Sequence, residues 1–252
     1  MKIILITQAR TGSSRFPKKI LKQIKGQSLL EIHINRIKKS NLIDEIIIAT
    51  TENDSDNIIT RIATSLNVKF FRGSENDVLD RFYKSAEVYN PDYVVRLTSD
   101  CPLIDGKLID EIITNALKKN LDYYSNILLP TYPDGQDIEV IKFSALKKAW
   151  ESAKLSSERE HVTPYIKNNS THMSKNLFSS ENHHYYKDYN SVRMVVDYPE
   201  DFKVIKLLIE KMGDDSSWKE YAEMYLSNQN IRSNNISIKR NQGYNISLNK
   251  DK

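Results

Sequence analysis

The chain has 252 residues, 39% of them hydrophobic, with 37 Lys and Arg against 33 Asp and Glu and a net charge of +4. That length suffices for a sizeable core in one large domain or two small ones. The near balance of charge excludes wholesale disorder, and the mild excess of cations suits a phosphorylated small molecule better than nucleic acid. Mean hydropathy is −0.55 and no run of 18 apolar residues occurs, so no spanning helix is expected. A single cysteine, Cys101, rules out a disulfide framework and a cysteine-based zinc site, and it fits a reducing cytoplasm. The opening MKIILITQAR is read as the start of the fold rather than a leader, because its apolar stretch is short and no cleavage site follows.

Short apolar runs alternate with amphipathic ones through the first half. Ile3–Ile6 and Ile46–Ala49 are unalternating β-branched runs, as strands buried on both faces should be. Val68–Phe71 and Tyr93–Leu97 read as two more strands. Between and after them, 29–37, 54–66, 78–88 and 108–117 carry apolar residues at helical spacing, which predicts βαβ units, a mostly parallel sheet and helices on both of its faces. Further on, strands are expected at 138–141 and 192–196. Helices are expected at 143–153, at 160–166 with a break near Pro164, at 199–212 and at 218–226. The residues after Asn228 are polar and aperiodic, and part of them is expected to be mobile. No repeat and no Gly/Ser or Pro linker divides the chain.

Ligands of open α/β sheets sit beyond the carboxyl ends of the strands, so the residues following each strand matter most. After the first strand comes Gln8-Ala9-Arg10-Thr11-Gly12-Ser13-Ser14-Arg15-Phe16-Pro17-Lys18-Lys19. Four cations, two serines, a glycine and a proline can cradle and neutralise phosphate oxygens. The spacing is neither a Walker A loop nor a dinucleotide fingerprint. After the fourth strand comes Thr98-Ser99-Asp100-Cys101-Pro102, and after the 192–196 run comes Asp197, with Pro199-Glu200-Asp201 behind it. Each Asp reads either as a Mg²⁺ ligand or as a turn or helix cap; two of them facing one basic loop make a metal–phosphate site a better hypothesis than either alone. His183-His184 reads as a surface strand or turn rather than a zinc site, and Cys101 as a small buried side chain.

These segments resemble the cytidylyltransferases of surface-sugar biosynthesis of the spore coat polysaccharide SpsF type. The resemblance is carried by QARTGSSRFPKK (8–19), IIIATT (46–51), FRGSENDVLDRF (71–82), VVRLTSDCPLID (94–105), SEREHVTPYI (157–166) and VDYPEDF (196–202). The first, fourth and last also resemble CMP-Kdo synthetases and, less closely, CMP-sialic acid synthetases. The resemblance implies a three-layer αβα nucleotidyltransferase fold, GT-A-like and Rossmann-like, over residues 1–228. It also implies a dimerisation or substrate arm around 122–142, leaving 229–252 as a polar tail.

It further implies a reaction in which a sugar-acid oxygen attacks the α-phosphorus of CTP and pyrophosphate leaves. Arg15, Lys19 and Asp100 would be catalytic. Ala9, Arg10, Gly12, Ser13, Ser14, Thr50, Arg72 and Thr98 would join Arg15 and Lys19 around the nucleotide, and Asp100 with Asp197 would hold Mg²⁺. Gln136, Asp137, Arg159 and His161 would meet the acceptor. Arg72 and Arg81 read equally as internal ion pairs, His161 equally as a packed helix residue, and Tyr123, Tyr124 and Tyr132 as pocket wall, core or dimer contact. The implied partners are CTP and a small acidic sugar, with neither nucleic acid nor membrane, in a cytoplasmic homodimer. Lys18 and Ser99 stand where this family often has Gly, and Gln136 where an aliphatic residue is common. Two other readings stay open: a GT-A glycosyltransferase, though the Asp-x-Asp metal pair is missing, and a non-catalytic nucleotide-binding subunit.

Overall fold

The computed structural model describes residues 1–240 together with 242, 244, 247, 248 and 251. Its centre is a seven-stranded sheet of order β5-β4-β1-β6-β8-β7-β9. Its strands are β1 (Ile3–Gln8), β4 (Glu45–Thr51), β5 (Lys69–Gly73), β6 (Tyr93–Thr98), β7 (Tyr123–Ser125), β8 (Glu139–Lys142) and β9 (Ser180–Asn182). The first four run parallel. Only β8 opposes its neighbours. A two-stranded ribbon, β2 (Gln23–Ile24) with β3 (Gln27–Ser28), leads into the first helix.

The unalternating strands predict burial on both faces, and β1 shows why. Its Ile3 and Leu5 join one core while Ile4 and Ile6 join the other, because successive side chains point to opposite faces. Beneath the first face pack α1 (Leu29–Ile37), α2 (Asn57–Ser65), α4 (Gly106–Lys119), α8 (Pro199–Met212) and α9 (Trp218–Ser227). Over the second pack α3 (Val78–Glu87) and α5 (Phe143–Ser152). Helix α1 starts on a capping box in which the Glu31 N–H donates to Ser28 Oγ and Ser28 N–H donates to the Glu31 carboxylate, an arrangement that satisfies two otherwise orphaned donors.

Three expectations need correction. The run 192–196 is buried but is no strand: its ladder pairing stops at the single Asp134–Arg193 bridge, and beyond it Val196 N–H makes one isolated bond to Asp100 O. Its partner segment turns at Gly135, whose φ is +108° and where a Cβ would stand 2.7 Å from the Met194 carbonyl carbon. Such a turn cannot continue a ladder. Second, the 122–142 segment does not project as an arm: it supplies β7 and β8 to the main sheet, and its Tyr123, Tyr124 and Tyr132 are buried. Last, His183 is buried, bonded to the Tyr124 hydroxyl and Glu111. The interruption expected near Pro164 is present: α6 (Ser156–His161) and α7 (Pro164–Asn168) are separated at Val162, with Pro164 at the first turn of the second. The C-terminal residues also do more than trail. After α10 (Gln229–Arg232), Asn235 is buried and Arg240 is tied to Asp137. The mobility expected of this tail concerns, at 241, 243, 245, 246, 249, 250 and 252, positions outside the described residues.

Candidate active site

The phosphate-type loop leaves β1 and is held in shape from beneath. The Asp56 carboxylate, almost fully buried, accepts from Thr11 N–H at 2.8 Å and Thr11 Oγ1 at 2.7 Å. Thr51 Oγ1 donates to its other oxygen. Lys18, the residue standing where Gly is often found, has φ 55°. That left-handed geometry strains any side chain and is the reason a glycine suits the position. The next residue, Lys19, is thereby aimed inward.

Lys19 Nζ lies 2.9 Å from Asp100 Oδ2 and 2.8 Å from Asp197 Oδ1. Arg15 reaches Asp197 Oδ1 at 2.7 Å and stacks over the Tyr198 ring. The two carboxylates come from segments distant in sequence, brought together where Val196 N–H donates to Asp100 O at 2.8 Å. Neither caps a helix. Asp105 caps α4, and Asp201 accepts from both Asp197 N–H and Tyr198 N–H at the head of α8. Asp201 is in turn gripped by Arg193, which also pairs with Asp134. The Asp100 loop is clamped from α1 by His33, buried between Thr7 and the Cys101 carbonyl. That carbonyl can only accept, so Nδ1 carries the proton and Nε2 accepts from the Thr7 hydroxyl.

Electrostatics follow from this geometry. Burial raises the Asp100 pKa, but the adjoining Lys19 ammonium overrides it and holds the group at about 2. Burial lowers the Lys19 pKa, yet Asp100 and Asp197 leave it raised overall. Burial takes His33 and His161 down to about 4 and pushes the Cys101 thiol well up, so Cys101 is an unreactive buried group.

A cleft of about 420 Å³ opens above these residues, lined among others by Ala9, Arg10, Ser13, Ser14, Arg15, Lys19, Thr98, Asp100 and Asp197. Most of the expected nucleotide set therefore converges. Three do not. Gly12 is absent from the lining, and a Cβ there would make only ordinary contact. Thr50 is fully buried in β4. Arg72 is consumed by Thr51 O, Asn53 O and Asn57 Oδ1, which answers its open reading in favour of structure. Arg81 is almost fully buried at the cleft wall: its Nη1 donates to Ser74 O, it makes no ion pair among the described residues, and its Nε has no partner among them.

A second cavity of about 390 Å³ adjoins, sharing Arg96, Thr98 and His161 with the first. Asp137 and His161 line it. Gln136 does not: it is fully buried, donating to Leu103 O and accepting from Asp105 N–H, which is how a polar residue fits an aliphatic position. Arg159 does not either, since it forks onto the Asp77 carboxylate at the head of α3. Arg96, Lys167, Arg240 and Tyr244 line it too, beyond the residues the sequence motifs point to. Only Arg96 carried a signal, as a charge in the middle of a buried strand.

Asp100 Oδ2 and Asp197 Oδ1 converge on one cationic nitrogen, the donor chemistry that a hard divalent cation takes. Among the described residues no group of three His, Cys, Asp or Glu forms a complete cage, so water and phosphate oxygens would fill the remaining positions. The residues present fit Mg²⁺.

A mostly parallel sheet with a basic loop after its first strand and two carboxylates across the cleft is suited to handling the phosphates of a nucleotide. Residues 4–234 match the family model described as cytidylyltransferase, and the chain belongs to that family. It is 46% identical to an uncharacterised protein of Methanocaldococcus jannaschii over 206 residues, 81% of this chain and 82% of that one. It is 31% identical to the spore coat polysaccharide biosynthesis protein SpsF of Bacillus subtilis over 222 residues, 84% and 88% of the two chains. The solved structure of a cytidylyltransferase from Leptospira borgpetersenii superposes with a TM-score of 0.86 at 32% identity, covering 92% of this chain and 96% of that one. No described helix is long and apolar enough to cross a membrane.

Proposed function

We propose that the protein transfers CMP from CTP to a hydroxyl of an acidic sugar, of the 3-deoxy-ulosonic or nonulosonic type, for surface polysaccharide or glycan synthesis. The observation carrying this reading is the convergence of Lys19, Asp100 and Asp197 in a cleft that continues, past Arg96, Thr98 and His161, into a second cavity. The acceptor oxygen bonds to the α-phosphorus as the bond to the α–β bridging oxygen breaks. Pyrophosphate leaves with that electron pair and the hydroxyl proton is released.

Such a transfer asks for in-line placement and charge neutralisation rather than a protein nucleophile. Arg10, Arg15 and Lys19 take the phosphates, with Ser13 and Ser14 donating hydroxyl hydrogen bonds. Thr98 stands between the nucleotide and acceptor cavities. Asp100 and Asp197 would hold Mg²⁺, which neutralises phosphate charge when bound. A cytoplasmic homodimer accords with the resemblance; light scattering tests the oligomeric state, and the exposed Leu129 in the turn after β7 is the candidate contact.

The test is pyrophosphate release with Mg²⁺, each of CTP, UTP, ATP and GTP, and a panel of sugar acids. Release with CTP is expected, falling roughly 10²–10³-fold in Asp100→Ala. A protein that neither releases pyrophosphate with any pair nor binds CTP overturns the reading.

A further inference from the structure

The second cavity contains an ammonium group that forms no salt bridge among the described residues. Lys167, in the last turn of α7, forms no ion pair and no side-chain hydrogen bond among the described residues, and its Nζ lies 5.7 Å from the centre of the Tyr244 ring. The carboxylates near it are engaged elsewhere. Glu139 is bound by Arg96 and the Tyr123 hydroxyl. Asp137 Oδ1 is bound by Arg240, leaving Oδ2 without a hydrogen bond among the described residues. Burial lowers the Lys167 pKa, and Glu139 only partly offsets this. A part-buried cation left unpaired is costly to the fold, and an incoming anion would remove that cost.

Two features hold this arrangement. Val162 has φ 72° and ψ −55°, and Thr163 N–H donates to His161 O at 2.8 Å across it. This γ-turn is strained for a β-branched residue. It separates α6 from α7 and leaves His161, Thr163 and Lys167 all on the cavity wall. The other feature is Arg240, which lies past the end of the family match at residue 234. It donates to Tyr132 O and Asn190 Oδ1 as well as to Asp137, so Asp137 is tied to two further loops.

Resting on the transfer reaction proposed above, we infer that Lys167 selects the acceptor by binding its carboxylate, and that Arg240, from the C-terminal segment, positions Asp137 to accept a hydrogen bond from an acceptor hydroxyl. Specificity for an acid over a neutral sugar then resides in one side chain. The geometry of the hydroxyl partner is set by residues outside the family match.

The experiment is calorimetric titration of the full chain, loaded with Mg²⁺ and a non-hydrolysable CTP analogue. The ligands are 3-deoxy-manno-octulosonate, a nonulosonate and the methyl ester of each. Wild type should bind one free acid roughly 10–100-fold tighter than its ester, the size expected of a hydrogen bond to a charged group. In Lys167→Met, and independently in Lys167→Gln, that ratio should fall to near one with affinity for the CTP analogue unchanged. Arg240→Gln should weaken acid and ester alike, about tenfold, and Arg240→Lys should recover part of the loss. With the responding acid as substrate, both positions should raise its KM more than they lower kcat. An acid–ester ratio that survives in both Lys167 variants overturns the inference. So does an ester bound as tightly as its acid by wild type, or a wild type that binds the CTP analogue and none of the acids. Failure to bind the CTP analogue at all overturns instead the transfer reaction on which it rests.

Discussion

Replacing Lys19 by Met removes the ammonium that Asp100 and Asp197 share while keeping most of the side-chain volume. The size of the effect follows from the Asp100 pKa, held at about 2 against 3.8 for the free group. Each unit is worth about 1.4 kcal/mol, so the net shift, in which the Lys19 ammonium outweighs burial, amounts to about 2 kcal/mol at neutral pH. Because the folded-state value is depressed, that contribution is complete above about pH 4 and is lost as pH falls toward 2. In the variant the two carboxylates also repel, bringing the expected loss to roughly 2–4 kcal/mol. For a chain of this size the melting temperature drops by roughly 5–15 °C. A divalent cation should then take the place of the ammonium. Millimolar Mg²⁺, without nucleotide, should restore much of the stability of Lys19→Met and move wild type by only about 1 °C, since wild type already carries a cation there. Thermal unfolding with and without Mg²⁺ at pH 7 reads both effects. A variant as stable as wild type, or one whose response to Mg²⁺ matches that of wild type, would refute the convergence of the three side chains.

Other consequences are equally specific. His33 titrates near 4 when folded and near 6.5 unfolded, so its neutral form favours folding above about pH 6.5 and this is lost as pH falls toward 4, about 3 kcal/mol in all. Urea midpoints at pH 7, 5 and 4 should fall more steeply in wild type than in His33→Gln, and equal slopes would count against the clamp. Arg193→Met leaves buried Asp201 and Asp134 without their shared cation and should cost about 3–5 kcal/mol in denaturant titrations. Arg159→Ala removes its fork onto Asp77 and should cost about 1 kcal/mol with the KM for CTP and for the acceptor unchanged. A tenfold rise in the acceptor KM would place Arg159 in the site after all.

What could be read from residues alone followed local rules. Unalternating β-branched runs announced strands buried on both faces, 3.6-residue spacing announced the helices between them, and the rule that ligands sit past strand ends pointed to Arg15, Lys19 and Asp100. Where the reading went astray, the deciding interaction was non-local. The apolar run 192–196 has strand composition, but a strand also requires a partner, and its partner turns away at Gly135. Arg72, Arg159 and Gln136 are polar residues in suggestive segments. Nothing in sequence order distinguishes a side chain that faces a ligand from one that satisfies a carbonyl, a cap or a buried loop.

The amino-acid order thus determined the βαβ architecture, the phosphate-type loop and the two aspartates, because each depends on periodicity or on position relative to a strand end. Only the tertiary structure decided that Lys19 stands between those aspartates, that Lys167 forms no salt bridge among the described residues, and that a tail lacking any periodic signal returns Arg240 to the cavity. Those outcomes depend on which charges burial brings within a few ångströms of one another, and chain separation carries no information about that distance.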